Sequence, residues 1–260
     1  MDGQEALHRG YEVYRSPVDG GTMRIVFIAD AHLRGTEDEN QRRLVEFLDW
    51  LATERPDKLV ILGDLFEFWT GFNGVIYSHY FPVLKGFEHL KNAGTEIIYL
   101  EGNHDFSLGP FFTGFLGAKV YRDSATIELD GKRFYLAHGD IVDPSLGYNL
   151  WRWFLRSPIF RLILMVVHPS FMWKIAMRLS DRGKLYPERA STIERRHREF
   201  AKRRIMAGYD VVVLAHSHIQ GIERLTTDRK EGIYANPGGW REACKYMVYQ
   251  DGEFMLKKYS

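Results

Sequence analysis

Residues 24–30 read RIVFIAD, and residues 59–64, LVILGD, and 97–105, IIYLEGNHD, repeat the pattern of an apolar run that opens onto acids, amides and histidines. Short unbroken apolar runs of this kind read as buried strands whose carboxyl ends feed polar loops. Between the first two, Leu44, Phe47, Leu48 and Leu51 recur at helical spacing and stop before Pro56, so a helix is expected there. Residues 77–92 read as a second helix. Strand, helix, strand in succession predicts a parallel sheet with crossover helices and ligand loops at the carboxyl ends of its strands.

Past residue 118 the pattern changes. Residues 125–129 and 133–137 flank Asp130-Gly131 and predict a β-hairpin. Residues 148–180 and 188–207 read as helices, VVVL at 211–214 as a return to the sheet, and the tail from Gly221 as short strands with turns at 228–232, 237–239 and 251–252. The fold class is therefore α/β.

The chain has 260 residues, 45% hydrophobic and 14% aromatic, enough to bury one large core and to exclude disorder. A single cysteine, Cys244, excludes an internal disulfide framework and a thiolate zinc cluster and fits a reducing compartment. The first fifteen residues are polar with no apolar h-region, so no signal peptide is expected and a cytoplasmic location is. The longest apolar run, residues 162–167, is too short for a bilayer, which needs roughly 20. A net charge of +1 gives no reason to expect nucleic acid, but it hides a gradient: residues 152–204 hold 14 Lys/Arg against four Asp/Glu, a local +10 that leaves −9 for the rest.

Five expected strand ends finish in metal-binding residue types: Asp30-Ala31-His32, Gly63-Asp64, Gly102-Asn103-His104-Asp105, His138-Gly139-Asp140 and His216-Ser217-His218. Five of the ten histidines fall in these clusters. Carboxylate, imidazole and amide donors without thiolate suit Mn²⁺, Fe or Zn²⁺. The donors are too many for one ion. A shared carboxylate can hold two ions about 3.5–4 Å apart, an arrangement suited to in-line displacement at phosphorus.

In this order the five motifs resemble the calcineurin-like metallophosphoesterases, over the chain from about residue 24. The resemblance implies an αββα sandwich. It also implies that Asp30, His32, Asp64 and His218 hold one metal and Asp64, Asn103, His138 and His216 the other, with Asp64 bridging. His104 would then lie just outside the ligands, stabilising transition-state charge or protonating the leaving oxygen, oriented by Asp105.

The flanking residues narrow the resemblance. GDLFEFW at 63–69, GNHDFSLG at 102–109, and HGD at 138–140 followed by Tyr148 and Arg152 resemble the UDP-2,3-diacylglucosamine diphosphatases of lipid A synthesis. That branch implies hydrolysis of a nucleotide-diphosphate lipid to UMP and 2,3-diacylglucosamine 1-phosphate, with Mn²⁺, and a helical lid over the acyl chains. Substrate contacts would fall to Asn103, Trp69, Tyr148 and Arg152, although Trp69 equally reads as a core aromatic. The chain departs from the branch in having His104 where well-known members have Arg, Ala215-His-Ser-His for Gly-His-Thr-His, and no Ser/Lys-rich stretch over residues 180–198.

Spacing supports an insertion independently. Asp30 to Asp64, Asp64 to Asn103 and Asn103 to His138 are 34, 39 and 35 residues, each about one strand–helix unit, whereas His138 to His216 is 78. A lid at about 144–208 is thus expected within a domain spanning 24–260, after an N-terminal extension at 1–23. Its Trp151, Trp153, Phe154, Phe160, Leu162 and Met165 suit acyl chains or a membrane, and its arginines suit diphosphate or anionic head groups, which predicts peripheral association with the inner face of the cytoplasmic membrane. Two other functions fit the residues: a calcineurin-like phosphoesterase acting on another phosphodiester or nucleotide diphosphate, and a metal-binding scaffold without catalysis.

Overall fold

A computed structural model describes residues 11–14, 23–71, 75–142, 145–180 and 187–260. The first strand pair follows the expected crossover: β2 (Ile25–Ile28) and β3 (Lys58–Ile61) are parallel, joined by α1 (Glu39–Glu54). Asp38 caps α1, its side chain accepting from the Asn40 amide, and Arg55 in the left-handed region ends it ahead of Pro56. A short 3₁₀ turn and α2 (Phe81–Asn92) return the chain to β4 (Glu96–Leu100), and β5 (Lys119–Tyr121) extends the parallel run. The predicted second helix thus begins as a 3₁₀ turn, because Pro82 favours the first turn of the α-helix proper.

The hairpin forms where Asp130-Gly131 places it, from β6 (Ala125–Leu129) and β7 (Lys132–Leu136). After the lid come β8 (Val211–Val213), β9 (Gly221–Thr226), β10 (Glu231–Asn236), α7 (Trp240–Ala243), β11 (Lys245–Gln250) and β12 (Glu253–Lys258). Two mixed six-stranded sheets result, ordered β12-β11-β2-β3-β4-β5 and β1-β6-β7-β8-β10-β9. β1 (Tyr11–Tyr14) joins the second sheet's edge beside β6; the remainder of the extension expected at 1–23, apart from Met23, lies outside the described residues.

Side-chain alternation sets the layers. Ile25 and Phe27 of β2 meet Phe134, Leu136, Val211 and Val213 between the sheets, while Val26 and Ile28 turn outward to Leu44, Phe47 and Leu48 of α1. Tyr135, Val212 and Tyr234 turn outward from the second sheet onto Ala201 and Ile205. This is the α/β/β/α sandwich expected.

The helical segment expected at about 144–208 differs in detail. Instead of one helix over 148–180 there are three: α3 (Leu146–Leu155), α4 (Pro158–Val166) and α5 (Pro169–Ser180). Pro158 and Pro169 each cost an interior helix a hydrogen bond and instead start new helices, the first capped by Ser157, whose hydroxyl accepts from the Phe160 amide. α6 (Pro187–Met206) leaves the lid and becomes a helix of the body, since Ala201 and Ile205 are fully buried on the second sheet. The stretch 181–186, where the branch's Ser/Lys-rich segment begins to lack a counterpart, is outside the described residues, as is the Met165 side chain.

Candidate metal centre and cleft

All five motifs sit at carboxyl ends of strands, three on the first sheet and two on the second, so packing the sheets face to face brings them to one edge. Backbone bonds then join the loops: Asp30 N to Gly63 O at 3.1 Å, His32 N to Asp64 O at 3.0 Å and Ala215 N to His138 O at 2.8 Å. Three groups arise whose ligand atoms lie within 4.8 Å of one another: Asp30, His32 and His218; His32, Asp64 and His104; and Asp64, His138 and His216. Asp64 belongs to two of them, His138 Nε2 lying 3.3 Å and His32 Nε2 3.9 Å from its Oδ2.

The backbone is strained where the donors converge. Of the ten described non-glycine residues with positive φ, five are Asp30, His32, Asp64, His216 and His218. Each such residue costs on the order of 1–3 kcal/mol and persists only where its surroundings enforce it. Gly102 is one source of enforcement: a Cβ there would lie 2.1 Å from Asp64 Oδ1, so only glycine lets the Asn103 loop pass the carboxylate.

Donor chemistry fits cations. Asp30 Oδ1, His32 Nδ1 and Asn103 Oδ1 are buried without a hydrogen-bond partner, a costly state that an ion would relieve. His138 donates from Nδ1 to the Leu62 carbonyl (2.7 Å) and His218 from Nδ1 to Glu242 Oε1 (2.5 Å), leaving each Nε2 directed at Asp64 or Asp30. Burial together with neighbouring His104 lowers the His32 pKa to about 3, and burial together with His138 does the same for His216, so both rings are neutral and ready to ligate. Burial opposes charge on His138, yet Asp64 lifts it to about 10; a proton there answers the negative charge that a cation would answer. Burial likewise opposes ionisation of Asp64, but His138 and His104 hold it well below the usual carboxylate range.

His104 lies at this centre, its ring edge-on to His32 at 4.9 Å, but Asp105 does not orient it. Asp105 accepts from the amides of Asp64 (2.9 Å), Leu65 (2.7 Å) and Gly102 (3.0 Å) and from the Tyr99 hydroxyl (2.5 Å), clamping the Asp64 loop to the Asn103 loop from below. The partner of His104 is Glu67: Nδ1 lies 3.0 Å from its carbonyl and 3.3 Å from its Oε1. Burial opposes charge on His104, but Asp64 and Glu67 raise it to about 9. Glu67 is itself buried and also meets Arg34 Nε at 3.2 Å and Arg241 at 3.5 Å.

Trp69 is a core residue and not a cleft wall. It is 1% exposed, stacked on Phe66 at 4.8 Å, and donates from Nε1 to the Leu108 carbonyl. The two aromatics of GDLFEFW divide: Phe68 lines the cleft and Trp69 turns inward. Tyr148 lines the cleft and bonds Asp140 through its hydroxyl (2.9 Å), whereas Arg152 is held by Asp140 (2.9 Å) and Asp123 (2.5 Å) and is not among the lining residues. Arg156, at the end of α3, donates to the Gly102 carbonyl at 3.1 Å and so ties the lid to the Asn103 loop.

One cleft of about 790 Å³ joins the two regions. Its floor includes His32, Asp64, Asn103, His104, His216 and His218; its other wall is apolar, from Trp151, Leu155 and Phe160 to Met172, Ile175 and Ala176. Arg34, Arg189, Arg241 and Glu242, none of which stood out in the sequence as a motif, complete the lining.

Residues 23–220 match the family model of the calcineurin-like phosphoesterases. The chain belongs to that family. It is therefore a metal-dependent phosphoesterase, a hydrolase. It is 29% identical over 219 residues to a UDP-2,3-diacylglucosamine hydrolase of Pseudomonas putida, covering 83% of this chain and 90% of that one. It is also 31% identical over 176 residues to the protein of that name from Porphyromonas gingivalis, covering 65% and 67% of the two chains. A third relative of that name, from Aeromonas salmonicida, is 28% identical and covers 91% of this chain and 93% of its own. No helix among the described residues is long and apolar enough to cross a membrane.

Proposed function

We propose that this phosphoesterase hydrolyses the diphosphate of UDP-2,3-diacylglucosamine in lipid A biosynthesis. Water adds to the phosphorus next to uridine, the bond from that phosphorus to the bridging oxygen breaks, and UMP and 2,3-diacylglucosamine 1-phosphate leave. The observation that carries the reading is the shared cleft, whose polar floor suits a diphosphate and whose apolar wall suits acyl chains. The relatives similar to this chain, named UDP-2,3-diacylglucosamine hydrolases, support it.

In this reading Asp30, His32, Asp64 and His218 hold one divalent ion and Asp64, Asn103, His138 and His216 the other, Mn²⁺ being preferred over Fe or Zn²⁺. Bound there, the pair supplies Lewis-acid stabilisation of phosphoryl oxygens and activation of a water. His104 stands at the floor, where it can give a proton to the leaving oxygen; Glu67, which takes the place expected for Asp105, fixes its ring. Trp151, Leu155, Phe160 and Met172 exclude water and hold the lipid. Tyr148 bounds the sugar end of the cleft.

The outer lid suits a membrane. Leu146, Leu150, Trp153, Ile159, Leu162, Val166 and Phe171 are all more than half exposed on residues 146–180, which hold five Lys/Arg and no Asp/Glu, a composition that seats apolar side chains among anionic head groups. Peripheral attachment to the inner face of the cytoplasmic membrane follows. Flotation with anionic liposomes tests this, and absence of binding at low and high salt alike would refute it.

Direct assay of UMP release from UDP-2,3-diacylglucosamine with added Mn²⁺ tests the substrate. Turnover that depends on the acyl chains supports it. Cleavage of bis-p-nitrophenyl phosphate without turnover of the lipid would overturn the substrate and leave the phosphoesterase standing.

A further inference from the structure

Beneath the loop bearing His216 and His218 lies a buried polar chain that reaches it from α6. Glu194 Oε2 accepts from the Ser217 hydroxyl at 2.5 Å, Asn236 Nδ2 donates to the same hydroxyl oxygen at 2.9 Å, and the Ile219 amide donates to it at 3.3 Å. One turn along α6, His197 Nε2 lies 3.2 Å from the carbonyl of Gly139, the residue after His138. The approach is close: a Cβ on Gly139 would stand 2.9 Å from the His197 ring. Glu194, His197, Ser217 and Asn236 are each at most 4% exposed.

Such a chain would be expensive without a task. A buried carboxylate loses its hydration, and neutral hydrogen bonds return only part of that loss. What it grips is a loop in which His216 has φ 65° and His218 φ 61°, two strained residues on either side of Ser217. The same helix carries Arg189 at the cleft and Ala201 and Ile205 in the core, so it runs as one rigid strut from substrate side to sheet.

We propose that Glu194 and Ser217 are positioning residues for metal retention: α6 sets the His216–His218 loop in ligating geometry through the Ser217 hydroxyl. The proposal rests on the metal assignment made above.

The test is titration of the full-length, metal-stripped protein with Mn²⁺ alone, by calorimetry or chelator competition, with thermal melting of each apo-protein beside it. S217A removes one oxygen and E194A removes its acceptor; each should weaken Mn²⁺ binding about 10–100-fold, the usual cost of losing a group that orients a ligand, and S217T, which keeps the hydroxyl, should restore it to within about 3-fold. Wild-type affinity in folded S217A overturns the proposal, as does an equal loss in S217T. If E194A fails to fold, S217A decides. Wild-type protein that binds no Mn²⁺ would instead refute the metal assignment, so the two failures are distinct.

Discussion

The floor and the roof of the cleft are built on opposite principles. On the floor Asp30, His32, Asp64 and His138 are buried, five of the donors have positive φ, and several are tied by a further residue: Asp64 by His104 N, His138 by Leu62, His218 by Glu242. On the roof, α3–α5 are anchored by Arg152 on Asp140 and Asp123, by Arg156 on Gly102, by Phe160 and Leu164 in the core and by Trp173 stacked on His79 at 4.7 Å, yet leave Leu146, Trp153 and Val166 exposed. Reaction at phosphorus needs atoms preorganised to fractions of an ångström, whereas an acyl chain needs only a yielding apolar surface. Point changes should therefore act steeply below and gently above.

The steepest test is His138→Ala, which removes a proposed ligand and unpairs Asp64. It should lower hydrolysis of bis-p-nitrophenyl phosphate by about 10³-fold, the equivalent of several kcal/mol of charge stabilisation, with loss of bound Mn²⁺ by elemental analysis. Near-normal turnover would break the picture of an over-determined floor.

Next comes a pH effect. Burial lowers the His197 pKa from 6.5 to about 4, so the unfolded chain binds a proton that the folded one refuses. This group's contribution is complete above pH 6.5 and lost as pH falls from 6.5 towards 4, in total on the order of 3 kcal/mol. Urea midpoints of wild type and His197→Gln across that range should converge as pH falls, and parallel curves would contradict it.

The roof should respond less. Trp151→Ala removes a cleft-lining ring and should raise KM for the acylated substrate about tenfold, from about 1.5 kcal/mol of lost apolar contact, with kcat little changed. Trp153, 65% exposed, is the smallest: Trp153→Ser should leave bis-p-nitrophenyl phosphate hydrolysis within about 2-fold of wild type while weakening liposome flotation. A large catalytic loss from Trp153→Ser would mean that the lid is as exacting as the floor.

Legibility divided in the same way. The floor was readable because each cluster directly follows an apolar strand, so chain order alone places the donors at one edge. The sequence could not place Asp105 or decide between two readings of Trp69 for one reason: both neighbour a motif, and adjacency does not reveal which way a side chain turns. Asp105 turns below to three amides, and Trp69 packs on Phe66. Glu242 and Glu194 carry no motif at all, and their roles appear only when α7 and α6 fold back onto the His216 loop.

By itself the sequence determined the α/β class, the five strand-end clusters and the over-long helical stretch before the last of them, because these follow from periodicity, strand-end position and spacing along one chain; the two-sheet sandwich and the choice of seven donors came from the family resemblance. Tertiary structure decided what holds those donors: that Glu67 and not Asp105 faces His104, that Glu242 backs His218, and that α6 belongs to the body as much as to the lid. Orientation within a buried site is settled by packing between segments far apart in sequence, up to 186 residues for the bond from His216 N to Asp30 Oδ2, and no local pattern encodes it.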